Sequence, residues 1–188
     1  MPSSKSAPPI AQLKIRLLGI SPMVWRRVLV PASISLRQLH GVVQVAMGWD
    51  GIHLFEFCIR AVRYGSFELH GACADVLLKS FGFRQGAKFR YVYDLGAWWD
   101  HEIRLEGFQD AMPGKSYPVC IGGSGVCPPE DCGGPDGYKQ HRDDARFCRK
   151  VSWVVSIQAR SWDIFLQRAA GGNPSWSLIS KVRIIPKP

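Results

Sequence analysis

An α+β fold, in a single domain, is predicted by three features of the sequence. Segments alternating apolar and charged residues come in adjacent pairs, one capped amphipathic helix lies between two such pairs, and a long Gly/Pro-rich stretch follows them. At 188 residues and 46% hydrophobic content, the chain is long enough to bury one sizeable core without disulfide staples.

Residues 1–10 are rich in Pro and Ser with little to bury, which predicts a disordered leader and a domain start near Ala11. Leu13, Ile15 and Leu17 alternate with Lys14 and Arg16, the period of a half-buried strand. Gly19 to Pro22 supplies a turn and Val24–Val30 a second strand, so the two predict an antiparallel hairpin. Ser35 and Gln38 fit a capping box, and Leu36, Leu39, Val43, Ala46 and Met47 recur at helical spacing as far as Gly48. His53–Ile59 and Arg60–Tyr64 predict a further hairpin, whereas Val76–Leu78 suits strand or helix equally. Phe89, Tyr91 and Tyr93 alternate with Arg90 and Val92 up to an Asp94-Leu95-Gly96 turn, and Trp99–Glu106 returns. Pro113–Gly137 holds seven Gly and five Pro, which predicts a long loop without regular structure.

Composition narrows the function classes. No run of about 18 uncharged apolar residues is present, and the N-terminal segment lacks a secretory pattern, which predicts a cytoplasmic protein with no membrane partner. The six cysteines are then expected as free thiols. The formal charge of +9 invites a nucleic-acid partner, because Lys and Arg neutralise phosphates. However, residues 1–138 hold 14 Lys+Arg against 12 Asp+Glu, whereas residues 139–188 hold 10 against 3. The basicity belongs to the tail.

Two stretches carry chemistry. In Tyr91–Glu106, YVYDLGAWWDHEIRLE, Asp94 and His101 stand on opposite arms of a hairpin with Trp98 and Trp99 between them. A carboxylate facing an imidazole can set the tautomer of a general base or share a metal; the alternative is a turn capped by Asp94 and a half-buried His101. In Cys127–Tyr138, CPPEDCGGPDGY, Pro128-Pro129 stiffens a loop carrying Glu130 and Asp131, suited to a divalent cation or a cationic partner. Equally, those carboxylates can bond backbone amides and lock the loop against the sheet. Together Asp94, His101, Glu130 and Asp131 are the catalytic candidates, and Tyr93, Trp98 and Tyr138 complete a candidate binding surface. Cys120, Cys127 and Cys132 with His101 or His141 form a weak zinc alternative, because the spacings lack a paired CXXC. His53, between Asp50 and Glu56, reads as a polar helix-to-strand corner. Gly122–Gly125 lacks the Lys-Ser/Thr ending of a phosphate loop.

Four segments in order, LKIRLLGISPMVWRRVLVP, LRQLHGVVQVAMGWDGIHLFEF, FRYVYDLGAWWDHEI and CPPEDCGGPDGY, resemble the plasmid pRiA4b ORF-3-like family over about residues 11–138. Its members also resemble passenger proteins of insertion elements. The resemblance implies a curved, mainly antiparallel sheet packed against helices, and no established reaction. The family pattern YDFGDxWxH carries over to Tyr93, Asp94, Gly96, Trp98 or Trp99, and His101, but Ala97 stands where a second Asp is expected. After Tyr138 the chain departs from the family, as a frame-shifted or recombined C-terminus would; Val151–Gln158 there reads as a strand.

These observations favour a non-enzymatic interaction module contacting nucleic acid or a mobile-element protein, with no cofactor. A purely structural role for the motifs is the first alternative. A metal-dependent or hydrolase-like enzyme using the four candidates, with a divalent metal, is the second.

Overall fold

The structure is a computed structural model that describes residues 9–69 and 71–142. The expected leader falls outside those residues except for Pro9 and Ile10, and the expected basic tail except for residues 139–142.

Strand β1 (Ile10–Leu17) begins one residue ahead of the predicted start and pairs antiparallel with β2 (Trp25–Pro31) in register Leu13 to Val28 and Ile15 to Arg26. Helix α1 (Leu36–Met47) carries the predicted capping box: Ser35 Oγ accepts from the Gln38 amide, and the Gln38 side chain accepts from the Ser35 amide. Gly48 ends it at φ 78°, a left-handed position that costs glycine least. Strands β3 (Phe55–Ile59) and β4 (Val62–Gly65) follow, and a two-residue strand β5 (Ala72–Cys73) lies parallel to β4. The ambiguous Val76–Leu78 run becomes a single bridge from Leu77 to Ser35 and then a 3-10 turn over Leu78–Phe81. Strands β6 (Lys88–Tyr93) and β7 (Trp99–Gln109) form the predicted hairpin.

The Gly/Pro-rich stretch is a correction to the sequence reading, because it contains strand β8 (Val119–Ser124) and the start of helix α2 (Gly134–His141). β8 pairs with β2 although two of its six residues are glycine, since its partner strand supplies the ladder that propensity does not. α2 starts with Pro135 in its first turn, where a missing amide costs nothing.

The eight strands form one sheet in the order β5-β4-β3-β6-β7-β1-β2-β8, antiparallel except for β4 with β5. One face buries Leu13, Ile15, Phe57, Tyr91, Ile103 and Leu105 in the same core as Leu36, Leu39, Val42 and Val43 of α1. Each fully buried Leu, Ile or Phe contributes roughly 1.5–3 kcal/mol, so this face dominates stability. Charge pairs occupy the other. Glu106 accepts from Arg27 through both carboxylate oxygens, at 2.5 and 2.9 Å, and from Gln12 at 2.8 Å; Lys88 bonds Glu102 at 3.0 Å, and Arg90 pairs with Asp100. Acids and cations interleave along that face, although Lys14 stands opposite both Arg27 and Arg104.

Candidate functional site

Three connections converge at the end of the sheet where β6 turns into β7. They are the α1–β3 loop (residues 48–54), the β6–β7 turn (residues 94–98) and the loop preceding α2 (residues 125–133). Each is anchored by a side chain that the sequence places at the tip of an element. Asp94, at φ 53°, caps the turn by accepting from the Gly96 amide at 3.0 Å and the Ala97 amide at 3.2 Å. Its own amide donates to Leu54 O at 2.9 Å, which ties the turn to the α1–β3 loop.

The Cys127–Tyr138 segment is fastened across this end by aromatic donors. Trp49 Nε1 donates to Pro128 O and Trp99 Nε1 to Glu130 O, each at 2.9 Å. The Tyr93 hydroxyl donates to Glu130 Oε1, and the Asp50 amide donates to Oε2 at 2.6 Å. Glu130 is consequently buried, with both carboxylate oxygens engaged. Burial, reinforced by this bond to Glu130, pushes the Tyr93 hydroxyl well above the usual tyrosine range. The close fit extends along the loop: a Cβ on Gly134 would stand 2.0 Å from Ala97 O, so only glycine lets the loop meet the turn.

Asp131 points the other way and is exposed. Its Oδ1 lies 2.9 Å from His53 Nε2, and Asp94 Oδ2 lies 3.8 Å from the same nitrogen. The hydrogen bond to Asp131, with the charges of Asp94 and Glu130 adding to it, raises the His53 pKa against the opposing effect of burial. Three of the four catalytic candidates, Asp94, Glu130 and Asp131, are therefore brought to one end of the sheet.

His101 is not with them. It is wholly buried, its ring stands edge-on to Trp49 at 5.5 Å, and Nδ1 lies 3.3 Å from Tyr91 O. Burial lowers its pKa to about 4, and Nε2 has no hydrogen-bond partner among the described residues. On a strand of alternating faces, position 101 has the same parity as Trp99, Ile103 and Leu105 and so faces the core. The histidine beside the acids is His53. Its signal was its position between Asp50 and Glu56, and what the spacing could not reveal was an approach from Asp131, 78 residues later. Trp49, which pins Pro128, carried no functional signal at all.

Of the remaining surface candidates, Trp98 is 53% exposed at φ 58°, Tyr93 is buried apart from its role as a donor, and Tyr138 is half-buried against the core. The zinc alternative does not assemble: among the described residues no three His, Cys, Asp or Glu side chains are grouped to hold a metal ion. Cys127 instead takes a 3.0 Å bond from Arg26 and lies 3.5 Å from Met47 Sδ, and burial pushes its thiol, like that of Cys132, up to about 11. No helix among the described residues is long and apolar enough to cross a membrane.

The geometry defines a class of α+β domain in which aromatic residues at one sheet end lock a Pro/Gly loop and leave a small acidic and apolar surface outside it. Residues 9–146 match the family described as plasmid pRiA4b ORF-3-like protein, and the chain belongs to that family. It is 42% identical over 137 residues to the uncharacterized protein y4hQ of Sinorhizobium fredii, covering 70% of each chain. Its fold is similar to the crystal structure of a protein of unknown function from Methanosarcina mazei Go1, with a TM-score of 0.65, 28% identity, and coverage of 77% of this chain and 88% of that one.

Proposed function

We infer that the chain is a non-enzymatic interaction module of this plasmid-associated family, and that it receives a cationic, partly apolar segment of a protein partner on the surface outside the locked loop. The observation that carries this reading is the contrast between the two neighbouring acids. Glu130 is consumed by the fold, whereas Asp131 is held beside His53 and Asp94 at the solvent boundary, at a sheet end that also exposes Ile52, Leu54 and Trp98.

Exposed apolar side chains bordered by acids suit a partner that offers an aliphatic or aromatic anchor flanked by Lys or Arg. A mobile-element protein fits that description. Nucleic acid fits it less well, since carboxylates repel phosphates. The nucleic-acid alternative rests on the charge of residues 139–188, most of which lie outside the described residues.

The test is an array of 12-residue peptides probed with the full chain, with binding then measured in solution by fluorescence anisotropy. Bound peptides should combine Lys or Arg with one large apolar residue, and Asp131→Lys and Trp98→Ala should each weaken them about tenfold. Selection of acidic peptides, or affinity unchanged by both substitutions, overturns the reading. Salt-steep binding of duplex DNA that survives Asp131→Lys would favour the nucleic-acid alternative instead.

A further inference from the structure

The end of the sheet opposite the Glu130 loop carries a concave feature of its own. There Ile10 of β1 faces Gln109 of β7 and Pro31 of β2, while Leu17 faces His101 at the end already described. An open cavity of about 330 Å³ lies at this far end, lined by Leu13, Leu78, Phe83, Leu105, Phe108 and Lys79 among others. Its volume falls within the roughly 300–1,000 Å³ range of small-molecule sites. No acidic side chain of the described residues lines it.

The walls are braced by contacts with neighbouring elements. The Phe83 ring stacks on Phe89 at 5.2 Å and 2°. Arg60 lies 5.9 Å over Phe83 and donates to Phe81 O at 2.7 Å. On the other wall, the Leu105 amide donates to Ala87 O at 2.9 Å and its carbonyl accepts from Gly86 at 2.8 Å. Between them Gly82, at φ 57°, turns an empty Cβ position toward open space.

Lys79 supplies the polar contrast. Its amide donates to Ala32 O at 3.0 Å, which fixes the residue at the cavity, and its exposed side chain has no carboxylate partner among the described residues. Elsewhere on the sheet, Arg27, Lys88 and Arg90 are each paired with an acid. A lysine stem lies naturally along an apolar wall with its ammonium at the rim. Phe108, 52% exposed, adds a further apolar surface to the lining.

We propose that this cavity binds a single-chain amphiphile with an anionic head, its hydrocarbon chain along Phe83 and Phe108 over the closed floor of Leu13, Leu78 and Leu105, and its head on Lys79. An apolar cavity selects the chain by removing it from water, and an unpaired lysine in its lining, with no acid beside it, selects the sign of the head.

The test uses the full chain and two probes, decanoate and decanol, below their aggregation limits, followed by calorimetry and by shifts of Leu methyl and Phe ring NMR signals. Decanoate should bind saturably and at least tenfold more tightly than decanol. Lys79→Glu, at an exposed position, should remove that preference by weakening decanoate alone, and Lys79→Arg should retain it. Phe108→Ala should weaken both probes. Absence of saturable decanoate binding, equal affinity for the two probes, or an unchanged preference in Lys79→Glu overturns the proposal. Binding that appears only after deletion of residues 1–8 overturns it as well, by assigning the cavity to the N-terminal segment of the chain.

Discussion

The hydroxyl of Tyr93, the last residue of β6, donates to the carboxylate of Glu130, 37 positions further along the chain. This bond joins the two most distinctive segments of the sequence, and the backbone amide of Asp50 completes the carboxylate's shell from a third segment. Glu130 is thereby a fastener of the loop that presents Asp131.

Tyr93→Phe removes the donor and leaves Glu130 buried with only one of its two bonds. Hydrogen bonds to charged groups contribute about 1.5–3 kcal/mol, so unfolding in urea should shift by about that amount. Glu130→Ala should cost at least as much, because it also frees the Asp50 amide. A loss under about 0.5 kcal/mol in both variants would mean that the loop is held by the two indoles alone.

The pH dependence of stability should have two limbs of opposite sign. His40 and His101 are buried and neutral, with pKa values lowered by burial to about 3 and about 4. The unfolded chain therefore binds more protons below about pH 6.5, and stability falls as pH drops from there toward those values, at up to roughly 1.4 kcal/mol per pH unit for each group. Replacing His101 with Phe should flatten this limb, as read from urea midpoints between pH 4 and 7.

His53 works the other way. Its folded pKa is raised, so its contribution is complete below the unfolded value near 6.5 and disappears as pH rises through the raised one. NMR titration should place the His53 midpoint above that of a free imidazole, and Asp131→Asn should bring it down. A midpoint unchanged by Asp131→Asn would exclude the pair as the cause.

The helix cap offers a local check on the fold. Ser35→Ala deletes an acceptor for the Gln38 amide and should cost about 0.5–2 kcal/mol in thermal or chemical unfolding.

Thiol reactivity should follow burial. Cys73 is exposed, whereas Cys127 and Cys132 are held as thiols by pKa values of about 11. Alkylation with iodoacetamide at pH 7.5, followed by peptide mass spectrometry, should modify Cys73 well before either of the other two.

Local signals made much of the architecture legible. Alternation in Leu13–Leu17 and Phe89–Tyr93 placed two strands, and the Ser35/Gln38 box and Gly48 bounded α1, because period-two burial, capping and left-handed glycine are all decided within a few residues. Strand β8 was not legible for the complementary reason: Gly122 and Gly123 have little intrinsic strand preference, and only the edge of β2 makes them extended.

The sequence by itself determined the family, the α+β class, the hairpin and the two segments that would meet. Tertiary structure alone decided which side chains they share. His53 came to lie beside the acids, and adjacent Glu130 and Asp131 were divided between buried fastener and exposed contact, whereas the alternation of Trp99–Glu106 already put His101 on the core face. Spacing along a chain specifies faces and turns, but which distant groups satisfy one another is set by the packing of three separate loops around one sheet end, where each buried polar atom must find its partner.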